Sequence, residues 1–242
     1  MKIFVLNLER AADRRALMQR RLAALALDAE FLPAVEGSRV DRRSLPAGSE
    51  PRLTPGELGC YLSHQRCWEI VVERGLAHAV VLEDDVVLSP ELPRVIAGIA
   101  GLDLPYDLVR LSSLGPVRGI PVARLADGRL LILPNKNPSG AQGYLVSQAG
   151  ARRLLEHLAV PKRPVDDEFD LYWKHGLCVP VVFPCVVEED GGLASTIGAR
   201  MDGQRRKTVG RHLVRVIEAK RRKLAVFLLA RRLRQAAADR RR

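Results

Sequence analysis

AVVLEDDVVL, residues 79–88, is the stretch that decides how this chain folds. Its first four residues form a short unbroken apolar run, the pattern of a strand buried on both faces. The run stops abruptly on Glu83, Asp84 and Asp85. In a sheet covered on both faces, ligands sit at the carboxyl ends of the strands, where these three residues stand. Three adjacent carboxylates are costly to hold together, because each raises the pKa of its neighbours. A divalent cation or a cationic partner removes that penalty. Hard oxygen ligands suit Mg²⁺ or Mn²⁺, ions that bridge diphosphate oxygens. A solvated acidic turn is the competing account of the same triplet.

Outward from this strand, apolar runs alternate with helical patterns. Residues 2–6 (KIFVL) read as a buried strand ending at Asn7, and residues 13–26 as a helix capped by Asp13. Residues 29–34 are a second strand, followed by a Gly-, Ser- and Pro-containing loop over 36–53 that reads as mobile. Thr54-Pro55-Gly56-Glu57 carries a capping box with Pro in the first turn, and predicts a helix that stops at Gly75. Further along, residues 90–100 are helical and 108–111 extended. Residues 122–125 and 130–133 flank Asp127-Gly128 as a hairpin. A strand at 142–146 feeds a helix at 148–158. A short helix at 166–174 and a Pro-punctuated β segment at 177–187 follow. This alternation predicts an α/β fold with a mostly parallel central sheet and helices on both faces. Asn7, the acid triplet and Ser112-Ser113 all fall at strand ends.

Charge divides the chain in two. Residues 205–242 hold 15 Lys and Arg against Glu218 and Asp239, whereas the preceding 204 residues carry 24 basic and 26 acidic side chains. The near-neutral body, 1–204, therefore reads as one domain and the basic tail, 205–242, as an appendage. Leu213, Ile217, Leu224 and Leu228 recur in the tail at helical spacing among Arg and Lys. That is a basic amphipathic helix suited to an anionic membrane surface, to the body itself or to a partner. Nucleic acid is the competing partner for such charge, but Phe227 is the tail's single aromatic, so little is there to stack on bases and none is expected. The longest apolar run, residues 224–230, is far short of the roughly 20 residues that span a membrane. No secretory signal pattern opens the sequence, so a cytoplasmic location is the default. Cys60, Cys67, Cys178 and Cys185 lack zinc-finger spacing and read as reduced, structural thiols.

Several other residues carry chemical potential. Asn7, Arg10 and Arg14 follow the first strand; Arg grips phosphate bidentately and Asn hydrogen-bonds a base or ribose. Glu57 and His64, seven residues apart, share a helix face with Cys60. His64 would contact phosphate, sugar or acceptor, or simply be a satisfied structural histidine. Gly140, Gly143 and Tyr144 precede a helix; Gly permits close backbone approach and Tyr stacks on a sugar, or the group is a tight turn with a core aromatic. Glu188, Glu189 and Asp190 form a second acidic cluster, which could supply a metal or acceptor contact but reads first as a solvated turn.

Together these motifs resemble the family 25 glycosyltransferases. The matching segments are VLNLERAADRR (5–15), LTPGELGCYLSHQRCW (53–68), VVLEDDVVL (80–88) and SGAQGYLVSQAGARRLL (139–155), with weaker echoes at RPVDDEFD (163–170) and Ser195-Thr196-Ile197. The resemblance covers about residues 1–198 and leaves the basic tail outside. It implies a Rossmann-like glycosyltransferase fold of the A type, a UDP-sugar donor, galactose as the transferred sugar, and inversion at the anomeric carbon. It also implies Asp85 as metal ligand for Mn²⁺ or Mg²⁺, Glu83 facing ribose or sugar, and Asp84 orienting. Asn7, Arg10, Arg14, Glu57, His64, Gly143 and Tyr144 would complete the donor site. Inverting transfer needs a base for the acceptor hydroxyl; Asp166, with Asp167 beside it, matches the family's Pro-x-Asp echo. The acceptor implied is a lipopolysaccharide or other surface glycan, reached by a protein peripheral at the inner face of the membrane. The resemblance also allows a non-catalytic relative that keeps the fold, and a nucleic-acid binder driven by the tail is the third possibility.

Overall fold

In the computed structural model, which describes residues 1–193 and 209–239, the decisive strand lies near the middle of an eight-stranded sheet. It is β3, His78–Glu83, and residues 79–82 are wholly buried. Burying one aliphatic side chain of this size is worth roughly 2 kcal/mol. On one side β3 pairs in parallel with β1, Lys2–Asn7, which pairs in parallel with β2, Glu30–Pro33. On the other side come β8 (Gly143–Ser147), β5 (Leu108–Arg110), β9 (Val181–Phe183), β7 (Leu130–Pro134) and β6 (Gly119–Arg124). The pairings make β7 and β8 run against the other six strands. A two-stranded antiparallel ribbon, β4 (Val86–Leu88) with β10 (Val187–Glu189), stands beside the main sheet.

The helices follow from the connections. From β1 the chain steps to β2 through α1, Ala12–Ala24, then returns past β1 to β3 through α2, Pro55–Glu73. Parallel crossovers are right-handed, so steps in opposite directions put the two helices on opposite faces. The α2 face also carries α4, Gln148–His157, and α5, Val165–Asp170. Between β4 and β5 lies α3, Leu92–Ala100. The reversal at β1 is a topological switch point, and the crevice it opens lies at Asn7, Pro33 and Glu83.

Local chemistry explains the element ends. Thr54 Oγ1 accepts the Glu57 N–H while the Glu57 carboxylate accepts the Thr54 N–H, so the capping box of α2 is closed. In α1, Ala11 rather than Asp13 is the cap; Asp13 lies in the first turn, where its charge complements the helix dipole. The helix expected over 166–174 ends at Asp170, and Tyr172–Lys174 is a separate 3₁₀ turn. The segment 177–187 divides between two sheets. The loop expected over 36–53 contains 3₁₀ turns at Gly37–Arg39 and Arg42–Ser44.

The basic tail forms α6, Val209–Asp239. Its side chains are described from 217 to 235, so Leu213 lies outside them, as do Ser195, Thr196 and Ile197. Val226, Ala230 and Leu233 are buried and pack α6 against β6 and β7. Ile217, Leu224 and Leu228 of the expected apolar stripe instead face outward, together with Phe227. Lys174 pairs with Glu218 at 2.6 Å, and the Arg234 guanidinium donates to the Pro121 carbonyl at 2.7 Å. No helix among the described residues is long and apolar enough to cross a membrane.

Candidate active site

The crevice at the switch point is a cleft of about 250 Å³. Its walls are the ends of β1, β2 and β3, the strap 34–38, and the first turns of α2. Two glycines set its width. A Cβ on Gly59 would lie 2.5 Å from the Val35 carbonyl oxygen, and one on Gly37 would lie 1.8 Å from the Pro55 carbonyl oxygen. The strap therefore lies directly on α2. Ser63 stitches the contact, accepting the Val35 N–H at 2.8 Å and donating to the Gly59 carbonyl at 2.6 Å.

All three residues of the acid triplet line this cleft. Arg14 supplies the cationic partner their chemistry demands. Its guanidinium donates to Asp84 at 2.8 Å and to Asp85 at 3.2 Å, with the three side chains 11–16 % exposed. Burial works to lower the Arg14 pKa, but the two carboxylates together outweigh it and raise it. Asp85 is pushed up to about 6, first by burial and then by Glu83, with Arg14 pulling the other way. The ribbon puts Glu189 opposite Val86, near enough to Asp85 to add to that shift. Asp190 pairs with Arg21 and with the backbone of Gly192.

Asn7 does not reach into the cleft. It is 3 % exposed, and its amide donates to Asp84 at 2.7 Å and to the Ala11 carbonyl at 3.2 Å. Arg10 lines the cleft and pairs with Glu36. Glu57 is engaged in the capping box. Gly143 leaves room for Val187, whose Cγ1 would stand 2.9 Å from an added Cβ, so a neighbouring side chain and not a ligand uses the space. Tyr144 is wholly buried, which removes its ring from any sugar. Its hydroxyl accepts the Trp68 indole N–H at 2.9 Å and meets His64 Nδ1 at 2.8 Å. His64, also wholly buried, brings Nε2 to 3.4 Å from Glu83 Oε1, and the Cys60 thiol lies 3.6 Å from that same oxygen.

Two places have the chemistry to hold a cation. Asp85 Oδ1 is buried with no hydrogen-bond partner among the described residues. That orphaned atom fits a hard divalent ion such as Mn²⁺ or Mg²⁺. The second is the group Cys60, His64 and Glu83, whose ligand atoms lie within 4.8 Å of one another. Its sulfur and nitrogen suit a softer metal. There, however, burial holds the Cys60 thiol protonated by raising its pKa, and the imidazole is already committed to Tyr144 and Glu83. Of the two places, the Asp85 side is the better chemical fit for a cation.

Asp166 is 5 % exposed on the first turn of α5, and its Oδ2 accepts the Gly140 N–H at 3.2 Å; Asp167 faces solvent. Neither lines the cleft. Two features are not legible in the sequence. They are the Gly37–Gly59 contact and the buried pair of Arg110 with Asp170 at 2.6 Å. The last has no sequence signal, since an Arg within a short strand looks like a solvated residue.

A sheet whose strand-end carboxylates rim a cleft at its switch point defines a class of α/β protein that takes its ligand in that crevice. Residues 1–111 match the model of Glycosyltransferase family 25 (LPS biosynthesis protein), and through this segment the chain belongs to that family. It is 31 % identical over 198 residues to procollagen galactosyltransferase 1 of Danio rerio, covering 72 % of this chain and 32 % of the relative. A glycosyltransferase 25 family member of Aedes aegypti is 32 % identical over 186 residues, covering 68 % and 30 %. The inactive glycosyltransferase 25 family member 3 of Mus musculus is 32 % identical over 191 residues, covering 69 % and 31 %. The chain thus spans about a third of the length of these relatives. A glycosyltransferase involved in glycosylation of the major capsid of PBCV-1 superposes with a TM-score of 0.42 at 9 % identity, covering 81 % of this chain and 95 % of that one.

Proposed function

We propose that this chain is a metal-dependent inverting glycosyltransferase, moving galactose from a UDP-sugar to a lipopolysaccharide or other surface glycan. The observation that carries the reading is the acid triplet on the rim of the cleft, with an orphaned oxygen on Asp85. Galactose is the sugar in the names of its procollagen relatives. Asp85 would hold the divalent ion, which would supply Lewis-acid stabilisation of the departing diphosphate. Arg10 and Arg14 bind phosphate, and Glu83 meets the ribose or sugar. Asn7 holds Asp84 in place. Asp166 takes the acceptor hydroxyl's proton as that oxygen bonds to the anomeric carbon and the bond from that carbon to the diphosphate breaks.

Incubation with UDP-galactose and Mn²⁺ should release UDP and transfer sugar, and Asp85→Ala and Asp166→Asn should each lose at least a hundredfold in kcat. Absence of binding to any UDP-sugar, with metal present, overturns the reading. A second reading, a non-catalytic relative, is favoured by the inactive mouse homologue at the same identity. Donor affinity without turnover on any glycan would establish it.

The proposed division is a glycosyltransferase domain over 1–204 and a tail over 205–242, with the tail on an anionic membrane surface at the cytoplasmic face. Support comes from the outward side of α6, where Leu224 is 60 % exposed and Phe227 54 %, among Lys220, Arg221, Lys223, Arg231 and Arg232. Apolar side chains ringed by cations match an anionic lipid headgroup layer. Co-sedimentation with vesicles containing phosphatidylglycerol tests this, and preferential binding to duplex DNA instead would overturn it.

A further inference from the structure

We propose that His64 is a positioning residue, fixed in its Nε2–H tautomer by Tyr144 and Trp68 so that it holds Glu83 toward the donor; this rests on the reading of Glu83 as a donor-binding residue. The number of protons available in the group fixes the tautomer. The Trp68 indole nitrogen is a donor only, so at 2.9 Å it obliges the Tyr144 oxygen to accept. The Tyr144 hydroxyl has one proton of its own, and its neighbour at 2.8 Å is His64 Nδ1. Nδ1 therefore accepts, which leaves the neutral ring's proton on Nε2. From there it points at Glu83 Oε1, 3.4 Å away.

Every upstream member is sealed from water. Trp68, Tyr144 and His64 are each 0 % exposed. Phe169 closes the group, with its ring edge on Tyr144 at 5.4 Å and its centroid 6.4 Å from His64. Glu83 reaches the cleft rim with its side chain 19 % exposed, and His64 and Cys60 stand behind it in the cleft wall. Cys60 and His64 both address Oε1, so the other carboxylate oxygen is the one presented outward. The chain of donors thus runs from the core to the site and sets the rotation of one carboxylate.

The same count bears on the group Cys60, His64 and Glu83 as a metal centre. A cation on Nε2 would turn Nδ1 into a donor toward Tyr144. The Tyr144 oxygen would then accept twice, and its own proton would be buried without an acceptor among the described hydrogen bonds. Stranding a buried donor is costly.

The test is spectroscopic first. In protein labelled with ¹⁵N at its five histidines, His64 should show a bare Nδ1 and a protonated Nε2. Tyr144→Phe removes the hydroxyl and should replace that pattern with a mixture of tautomers. A wild-type proton on Nδ1, or an unchanged pattern in Tyr144→Phe, overturns the assignment. Calorimetry with UDP-galactose and Mn²⁺ then reads the effect on the donor. His64→Gln keeps an N–H near the Nε2 place and His64→Ala does not. The Ala variant should bind about tenfold more weakly than wild type, and the Gln variant within about threefold. Equal weakening in the two overturns positioning. Unchanged donor affinity in Glu83→Gln overturns the donor role of Glu83 but leaves the tautomer assignment standing, so the two failures are distinguishable. One Zn²⁺ bound by wild type and lost in Cys60→Ser would overturn the relay in favour of a metal centre.

Discussion

Arg110 and Asp170 show how much one buried pair can hold. Both side chains are sealed, and burial pushes the Asp170 carboxyl up to about 6 against the pull of Arg110. Asp170→Ala leaves a guanidinium in the core with the Gly140 carbonyl as its one hydrogen-bond partner among the described residues. Removing one partner of such a pair costs about 3–5 kcal/mol, which urea denaturation at pH 7 would read. The thiols give a second residue-level expectation. Burial pushes Cys67 and Cys178 up to about 12 and Cys185 to about 11. Because an unfolded thiol titrates near about 8.5, their stabilisation is whole below that pH and is lost as pH rises through 11 to 12. Ellman's reagent at pH 8 should therefore react slowly with the native protein and fully only in denaturant. At this scale the sequence exposed Glu83, Asp84 and Asp85, since strand-end charge is a local pattern. It hid the burial of Tyr144, because a Gly-Tyr pair looks the same whether its ring faces a ligand or the core.

Elements were legible where their signals are local. The capping box of α2 and the Asp127-Gly128 hairpin need only a few adjacent residues. The direction of β8 was not legible, because direction depends on which neighbour a strand joins. Its antiparallel place between β3 and β5 is a non-local outcome. Nor could periodicity choose the docked side of α6. That helix has one apolar stripe at Val226, Ala230 and Leu233 and another at Ile217, Leu224 and Leu228, and only contact with β6 and β7 distinguishes them. The two sides predict different variants. Leu224→Asp with Leu228→Asp should abolish vesicle co-sedimentation with a melting temperature within about 2 °C of wild type, whereas Val226→Asp should lower it by several degrees. At the cleft, Gly59→Ala presses its methyl onto the Val35 carbonyl. Overpacking of this kind costs about 1–3 kcal/mol, and the displaced strap should weaken UDP binding measured by calorimetry.

At the scale of the whole molecule, a near-neutral body and a cationic helix are joined so that the helix lies against the β6–β7 edge. The cleft is at the other end of the strand order, where β1, β2 and β3 meet. Arg14 governs how that end behaves without a metal. Its guanidinium already spans Asp84 and Asp85, so the folded state holds its own counter-ion. Stripping the protein with EDTA should leave its melting temperature within about 1 °C, while Arg14→Met should make it sensitive to chelation. If the cleft takes the proposed cation, its uptake is an exchange rather than an addition. The incoming charge would displace a tethered one, and the arginine it released would be set loose beside the phosphates of the proposed donor, so loading with nucleotide and loading with metal should each favour the other.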